Sequence, residues 1–90
     1  MTFTETINQV YNLTIDGFIN GEKFTKAEFK EVMKHWLLTK NSYIIEVSLL
    51  DGRWLCKISK FANGEYGYFL PETRDQEKHL YAELGIKVTE

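Results

Sequence analysis

A lone cysteine and two histidines are the residues that could support nucleophilic chemistry in this chain. Cys56 is the only cysteine, and the histidines are His35 and His79. A cysteine becomes a nucleophile when a neighbouring base or positive charge lowers the pKa of its thiol. Cys56 falls in the middle of a predicted strand, on its apolar face, where burial would instead raise that pKa. We therefore expect a buried thiol and no cysteine nucleophile.

His79 and Glu83 are a second candidate, because residues four apart share one face of a helix. A closed structural zinc site needs four ligands, and this pair supplies only two. Glu72, Asp75 and Glu77 precede the pair, and the positive end of a helix dipole already explains these carboxylates. The six glycines fit turns, a helix end or a gap in a strand, with no phosphate-binding loop. The sequence thus predicts a protein that is not an enzyme and that holds no cofactor or metal.

Length and composition predict a single domain over residues 1–90. Charged residues make up 27% of the chain and hydrophobic residues 43%, with a formal net charge of −2. This balance gives no overall attraction to nucleic acid or to an anionic membrane. The single cysteine fits a reducing compartment, and the N-terminus lacks the basic and apolar regions of a secretory signal. We expect a cytoplasmic protein that makes no membrane contact.

The clearest structural signal is an amphipathic helix predicted over residues 25–39. Thr25 and Glu28 have the spacing of a capping box, which marks the start of the helix. Apolar residues then recur at helical spacing: Phe29, Val32, Met33, Trp36 and Leu37. A row of lysines follows another side: Lys26, Lys30 and Lys34. We expect the apolar stripe to pack on a sheet and the lysine row to face solvent.

A three-stranded antiparallel meander is predicted over about residues 43–50, 53–61 and 65–70. Asp51-Gly52 is a strong signal for a two-residue hairpin loop. That loop length sets the following cross-strand pairs: Leu49 with Trp54, Val47 with Cys56, Ile45 with Ile58, and Glu46 with Lys57. One face of the sheet is then apolar, and Glu46–Lys57 is an opposite-charge pair on the other, outer face. If the loop at Asn63-Gly64 is also two residues long, the tyrosines of the third strand lie on the outer face.

Two further helices and a small hairpin complete an α+β fold. A short helix is expected over about residues 3–12, although the alternation within residues 2–16 also fits a strand. Asn20-Gly21 fits the turn of a tiny hairpin, and a C-terminal helix is predicted over residues 73–84. Residues 86–89 fit a short edge strand or a tail.

The outer face of the meander is the predicted partner-binding surface. Its residues are Arg53, Leu55, Lys57, Phe61, Tyr66 and Tyr68. Tyrosine-rich patches flanked by arginine are typical of interfaces between proteins. The alternative is that the N-terminal or the C-terminal helix covers this face and turns it into a second core layer. The same face could also pair two copies of the chain in a homodimer.

The acidic start of the last helix extends this predicted surface, through Glu72, Asp75 and Glu77. Together with Glu83, these groups could imitate phosphates toward a basic partner. In size and composition the chain is similar to phage- or prophage-encoded inhibitors of host machinery, anti-defence proteins among them, although no motif carries this resemblance. We expect a regulator or inhibitor that acts by contact with another protein.

Nucleic-acid binding is the alternative function. The row of Lys26, Lys30 and Lys34, together with the rings predicted on the outer face, suits stacking of a single strand. The negative net charge of the chain opposes such binding. The sequence predicts a protein partner first and a nucleic acid second.

Overall fold

Three helices and a five-stranded antiparallel sheet make up residues 1–86, the part of the chain that the computed structural model describes. In chain order the elements are α1 (Phe3–Leu13), β1 (Phe18–Ile19), β2 (Glu22–Lys23), α2 (Lys26–Thr39), β3 (Ser42–Leu49), β4 (Gly52–Lys60), β5 (Tyr66–Phe69) and α3 (Arg74–Leu84). The strand order in the sheet is β2-β1-β3-β4-β5. The α+β class is confirmed. Of the residues predicted to form an edge strand or tail, 87–89 lie outside the described residues.

Capping boxes begin the first two helices. The Glu5 amide donates to the Thr2 hydroxyl at 3.1 Å, and the Thr2 amide donates to the Glu5 carboxylate at 3.0 Å. Thr25 and Glu28 repeat this arrangement at 3.1 and 2.9 Å. Each box satisfies two backbone donors that a helix start leaves without partners. The predicted helices over 3–12 and 25–39 are confirmed to within a residue, and the ambiguity over residues 2–16 resolves in favour of a helix.

The small hairpin at Asn20-Gly21 forms and joins the main sheet. Asn20 and Gly21 have φ values of 53° and 77°, as a two-residue hairpin turn requires. Ile19 pairs with Val47 of β3. The Asn20 side chain accepts the Glu46 amide at 2.8 Å. The predicted three-stranded meander is therefore wrong in its strand number, because β1 and β2 extend the sheet beyond β3.

The register of β3 and β4 differs by two residues from the predicted register. The loop residues are Leu50 and Asp51, and Gly52 follows them at φ 127° as the partner of Leu49. Val47 consequently faces Trp54. Side chains alternate with a period of two, so this shift leaves every residue on its predicted face.

Because of this shift, the predicted cross-strand pair of Glu46 with Lys57 does not form. Glu46 instead lies opposite Leu55, and Lys57 lies opposite Ile44. The Glu46 carboxylate is 3.8 Å from the guanidinium of Arg53, and the Arg53 and Glu46 side chains are 75% and 40% exposed. An exposed pair of this kind contributes little to stability.

The turn between β4 and β5 has a larger consequence for the predicted surface. The Gly64 amide donates to the Phe61 carbonyl at 3.0 Å, and Gly64 has φ 86°. These are the features of a three-residue loop. Because the loop has an odd length, β5 is rotated relative to the prediction, and Tyr68 pairs with Ile58. Tyr66 and Tyr68 therefore lie on the apolar, inner face and not on the outer face, as the sequence had predicted.

The inner face of the sheet carries the core beneath α1 and α2. Its buried side chains are Ile7, Val10, Ile19, Phe29, Met33, Leu37, Ile45, Val47, Trp54, Cys56 and Ile58. The Trp36 ring stacks on Tyr43 with a centroid distance of 4.2 Å, at the border of this core. The prediction that the α2 stripe packs on the apolar face of the sheet is confirmed.

The outer face of the sheet carries α3, which begins at Thr73 and ends at Gly85 in the left-handed conformation. Leu80 of this helix and Leu55 of β4 are both buried, with 2% and 7% of their surface exposed. The predicted C-terminal helix over 73–84 is confirmed. Its position also answers a question that the sequence left open, because this helix covers part of the outer face.

Candidate functional site

At one end of the outer face, α3 takes the place of a strand. β4 has nine residues and β5 four, and β5 pairs only with Lys57 to Lys60 of β4. The Leu55 amide, which points toward the side of the missing strand, donates to the Glu77 carboxylate at 2.8 Å. The Arg53 carbonyl accepts from the Arg74 guanidinium at 2.8 Å. Two side chains of α3 thus continue the hydrogen bonding of the sheet where β5 has ended.

Arg74 and Glu77 are themselves joined, with 2.9 Å between guanidinium nitrogen and carboxylate oxygen. The Glu77 side chain is 5% exposed. The Arg74 guanidinium lies 3.9 Å from the centroid of the Trp54 ring. Such a buried carboxylate with a hydrogen-bonded partner on each side holds an element in place. We call Arg74 and Glu77 the α3 latch, and the Glu77 carboxylate is turned into the protein, away from solvent.

Beside α3, the outer face of the sheet carries an open cleft. This cleft has a volume of about 500 Å³ and lies between α3 and the outer side of β4 and β5. Phe61 and Phe69 border it with 52% and 45% of their surface exposed, and the buried Leu80 contributes to its wall. We call this feature the α3 cleft. Two large rings next to an apolar recess favour the binding of another apolar group.

Gly67 shapes the floor of the α3 cleft. A Cβ atom at this position would lie 2.9 Å from Cε2 of the Phe61 ring, which is closer than carbon atoms approach. The missing side chain is therefore what allows the Phe61 ring to lie across β5. The sequence indicated a gap in the strand at Gly67, and the structure shows which group fills it.

Two opposite charges on the border of the α3 cleft pair with each other. The Lys57 ammonium lies 2.8 Å from the Glu83 carboxylate, and both residues line the cleft. His79 also lines it. Glu83, the predicted partner of His79, is thus already paired with Lys57. Within residues 1–86 no group of three or more histidine, cysteine or acidic side chains is placed to hold a metal ion.

Cys56 lies in the inner core and not in a cleft. It is 1% exposed, and burial raises the pKa of its thiol to about 12. The thiol is therefore protonated at neutral pH. The expected burial of this residue is confirmed.

Four of the residues predicted to bind a partner line the α3 cleft together, namely Lys57, Phe61, Tyr66 and Tyr68, and the others lie elsewhere. Arg53 is exposed, Leu55 is buried under α3, and Phe61 borders the α3 cleft. Tyr66 and Tyr68 are half-buried, and the Tyr66 ring meets Phe3 of α1 edge-on at 5.2 Å. Glu72 and Asp75 are exposed at the start of α3, while Glu77 belongs to the latch.

Sequence reasoning missed the contributions of Phe69 and Leu80 to the outer face. A three-residue loop at Ala62-Asn63-Gly64 would have placed Phe69 there, because the odd loop length exchanges the two faces of β5. Leu80 belongs to the apolar stripe of the C-terminal helix, but the sequence does not specify the face of the sheet on which that stripe packs.

The lysines of α2 lie on the opposite side of the sheet from the α3 cleft. The Lys26 ammonium sits 5.7 Å from the centroid of the Tyr11 ring of α1. Lys34 and Lys60 line one small cleft with Phe3 and Tyr66. The lysine row thus runs beside α1.

Comparison of the chain with known protein families, with curated proteins and with solved structures finds no match. Among residues 1–86, no helix is both long enough and apolar enough to cross a membrane.

Proposed function

We propose that this protein is a small binding module without catalytic activity that acts by contact with another protein at the α3 cleft. The exposure of the Phe61 and Phe69 rings beside an apolar recess carries this proposal. Burying apolar surface contributes roughly 25 cal/mol per Å², so two rings supply a useful part of a binding free energy. Aromatic side chains at the centre of a contact are also the commonest sites of large binding energies.

The charges at the cleft support an apolar partner over a charged one. Lys57 and Glu83 neutralise each other at 2.8 Å, so neither offers a free charge to a ligand. A partner that placed an aliphatic or aromatic side chain between Phe61 and Phe69 would lose little solvation of polar groups. The exposed carboxylates of Glu72 and Asp75 would then face basic groups on the rim of the same partner.

Regulation or inhibition is the kind of action that we infer for such a module. A domain of 90 residues that covers a functional surface of a larger protein blocks that surface by occupancy alone. An inhibitor of the phage or anti-defence type would work in this way. A second copy of the chain is the other protein that could occupy the cleft, and the test below separates the two.

The test is affinity capture from a nuclease-treated lysate of the source organism, with three versions of the protein. They are the wild type, a double variant Phe61→Ser and Phe69→Ser, and a control Phe18→Ser. Phe18 is 39% exposed on β1, at the other end of the sheet. We expect the double variant to lose a protein that the wild type and the control both retain. Equal recovery with all three versions, or a partner removed by the nuclease, would reject the proposal.

Sedimentation of the purified protein over a range of concentrations tests the second copy. If the α3 cleft pairs two chains, the wild type and Phe18→Ser dimerise and the double variant stays monomeric. If all three versions stay monomeric, the partner is a different protein. Thermal melting of each version checks that the substitutions leave the fold intact.

A further inference from the structure

The cations of the protein are divided between two regions according to whether they have an ionic partner. The ion-paired cations belong to β4 and α3: Arg53, Lys57, Arg74 and Lys78. On the other side of the sheet, four lysines beside α1 and α2 have no carboxylate within 4.0 Å among residues 1–86: Lys26, Lys30, Lys34 and Lys60. Lys23 and Lys40 also have no such ion pair, but they lie away from this group. Positive charge without an internal partner is therefore concentrated next to α1 and α2. A negatively charged ligand would find its complement there.

These four lysines follow the seam between α1 and α2. Lys26, Lys30 and Lys34 are four residues apart, so their Cα atoms rise by about 6 Å per step along one side of the helix. α1 runs antiparallel to α2, since Tyr11 lies under Lys26 while Phe3 lies beside Lys34. We call this row, continued by Lys60, the lysine seam.

The carboxylates near the lysine seam form no ion pair with its lysines among residues 1–86. Glu5 and Glu28 are held by the backbone amides of Thr2 and Thr25 at the helix starts. Glu31 is exposed on α2, with no ammonium within 4.0 Å in the described part of the chain. The seam is thus a basic stripe on a protein whose formal net charge is −2.

An apolar cleft opens at one end of the lysine seam. It has a volume of about 270 Å³ and is lined by Phe3, Leu37, Leu38 and Tyr66, with Lys34 and Lys60 at its rim. Leu38 is 77% exposed, which is a large exposure for a leucine in an ordered helix. An apolar recess flanked by two unpaired ammonium groups fits a ligand with an apolar side chain and carboxylates beside it.

We propose that the lysine seam docks an acidic amphipathic segment of a protein partner. An apolar side chain of the segment enters the cleft beside Leu38, and its carboxylates meet Lys30, Lys34 and Lys60. Acidic residues four apart on a helical segment repeat at the same rise of about 6 Å as the lysines, so several pairs form together. This contact lies on the opposite side of the sheet from the α3 cleft, and Tyr66 of the edge strand β5 is the residue that borders both.

The ring contacts favour a peptide over a nucleic acid. Single-stranded nucleic acids need exposed aromatic faces on which bases stack. Along the seam, Tyr11 and Tyr66 each have a lysine ammonium near the ring, at 5.7 and 6.0 Å, and Tyr66 also meets the Phe3 ring. The exposed apolar group is the aliphatic Leu38, which offers no stacking surface.

The experiment measures binding of a labelled synthetic helix-forming peptide with glutamate at every fourth position and leucines on the adjoining face. Fluorescence anisotropy gives its affinity, and amide shifts of the isotope-labelled protein give its location. A second peptide has serine in place of each leucine. We expect the first peptide to bind about tenfold more tightly, since an apolar contact of about 1.4 kcal/mol gives that factor. The largest amide shifts should fall at Leu37 and Leu38, which line the cleft of the seam and not the α3 cleft.

Matched protein variants distinguish binding of the peptide at the lysine seam from nonspecific electrostatic attraction to the whole protein. Lys34→Glu lies in the seam, and Lys40→Glu makes the same charge change beside Tyr43, where Lys40 also has no ion pair within residues 1–86. We expect Lys34→Glu to weaken the peptide about tenfold and Lys40→Glu less than about twofold. Leu38→Ser should weaken the leucine peptide and leave the serine peptide unchanged.

Three outcomes would overturn the proposal. Equal weakening by Lys34→Glu and Lys40→Glu would show attraction without a site. Tighter binding of a twenty-nucleotide oligothymidine, or of vesicles containing phosphatidylserine, would assign the seam to another class of ligand. No peptide binding at low salt would remove the seam as a docking surface, and none of these results depends on the α3 cleft.

Discussion

The two faces of the sheet are covered by different kinds of interaction. On the inner face, α1 and α2 bury apolar side chains completely, and Ile7, Met33 and Ile58 are each 0% exposed. On the outer face, α3 is held by the latch of Arg74 and Glu77 and by few buried apolar groups. Apolar burial stabilises in proportion to area, whereas a hydrogen bond fixes position at one point. The inner face is therefore expected to carry most of the stability, and the outer face is left with an open cleft.

Truncating one buried side chain on each face tests this difference directly. Phe29→Ala on the inner face should lower the free energy of unfolding by about 3–5 kcal/mol, because it leaves a cavity in close-packed surroundings. Leu80→Ala on the outer face should cost about 2–3 kcal/mol, near the lower end of the range, because the neighbouring cleft lets the site relax. Urea denaturation of both variants measures the two values. A larger loss for Leu80→Ala than for Phe29→Ala would reverse the comparison.

The Cys56 thiol gives an independent measure of the inner face. Burial raises the pKa of this thiol to about 12, so an aromatic disulfide reagent at pH 8 reacts only when the inner face opens. Phe29→Ala should speed the labelling far more than Leu80→Ala does. Similar labelling rates for the two variants would show that both faces open together.

The α3 latch should give the next largest effect. Glu77→Gln replaces the carboxylate that accepts hydrogen bonds from Arg74 and from the Leu55 amide with a neutral amide. Weakening these buried hydrogen bonds should lower the free energy of unfolding by about 1–3 kcal/mol. Asp75→Asn is the matched control, since the Asp75 side chain is 92% exposed and its contact with Lys78 is 3.6 Å long. Urea denaturation gives both values, and amide exchange at Leu55 reports the local bond. A stability loss for Asp75→Asn equal to that for Glu77→Gln would contradict the assigned role of the latch.

Much of the fold was predictable because its signals are local. Thr25 and Glu28 fix the start of α2 within four residues, and Asn20-Gly21 fixes the small hairpin within two. The pairing of Ile19 with Val47 joins residues 28 positions apart, and no short pattern encodes it. Strand number was therefore wrong even though each hairpin was found.

The two register errors show why the binding surface was harder to predict than the core. An error of two residues between β3 and β4 kept Cys56 on the inner face, because side-chain direction repeats every second residue. An error of one residue in β5 moved Tyr66 and Tyr68 across the sheet. Pairing of Leu55 with Glu77 depends on where α3 crosses β4, which the sequence of neither element specifies.

Substitutions at Gly67 and Gly17 should differ in their effect on stability. Gly67→Ala should change stability by less than about 0.5 kcal/mol, because the clash falls on the half-exposed Phe61 ring, which can turn away. Gly17→Ala should cost several times more, since its Cβ would overlap the Phe24 carbonyl oxygen and its φ is +73°. Thermal melting compares the two variants. Ring-proton shifts of Phe61 check that the Gly67→Ala change reshapes the α3 cleft without unfolding it.

The smallest expected effect concerns the hydrogen bonds at the N-termini of the helices. These bonds depend on pH in α2 and not in α3. Hydrogen bonds from the Thr25 amide hold the pKa of the Glu28 carboxyl below its usual value of 4.5. A depressed pKa means that the contribution to stability is present above pH 4.5 and is lost as the pH falls through the lower, folded value. The corresponding bond in α3 runs from the Glu72 amide to the neutral Gln76 side chain at 2.8 Å, and it cannot titrate.

We therefore expect the amide signal of Thr25 to shift as the solution is acidified below pH 4.5, while the bond at Glu72 keeps its acceptor. Glu28→Gln should remove the acid-dependent part of the Thr25 shift. At pH 7 the variant should have a slightly lower melting temperature than the wild type. The difference in melting temperature should disappear as the wild-type carboxyl becomes protonated. If the difference persisted unchanged in acid, the charge of Glu28 would not be what stabilises the helix start, and the contrast between inner and outer helices would rest on packing alone.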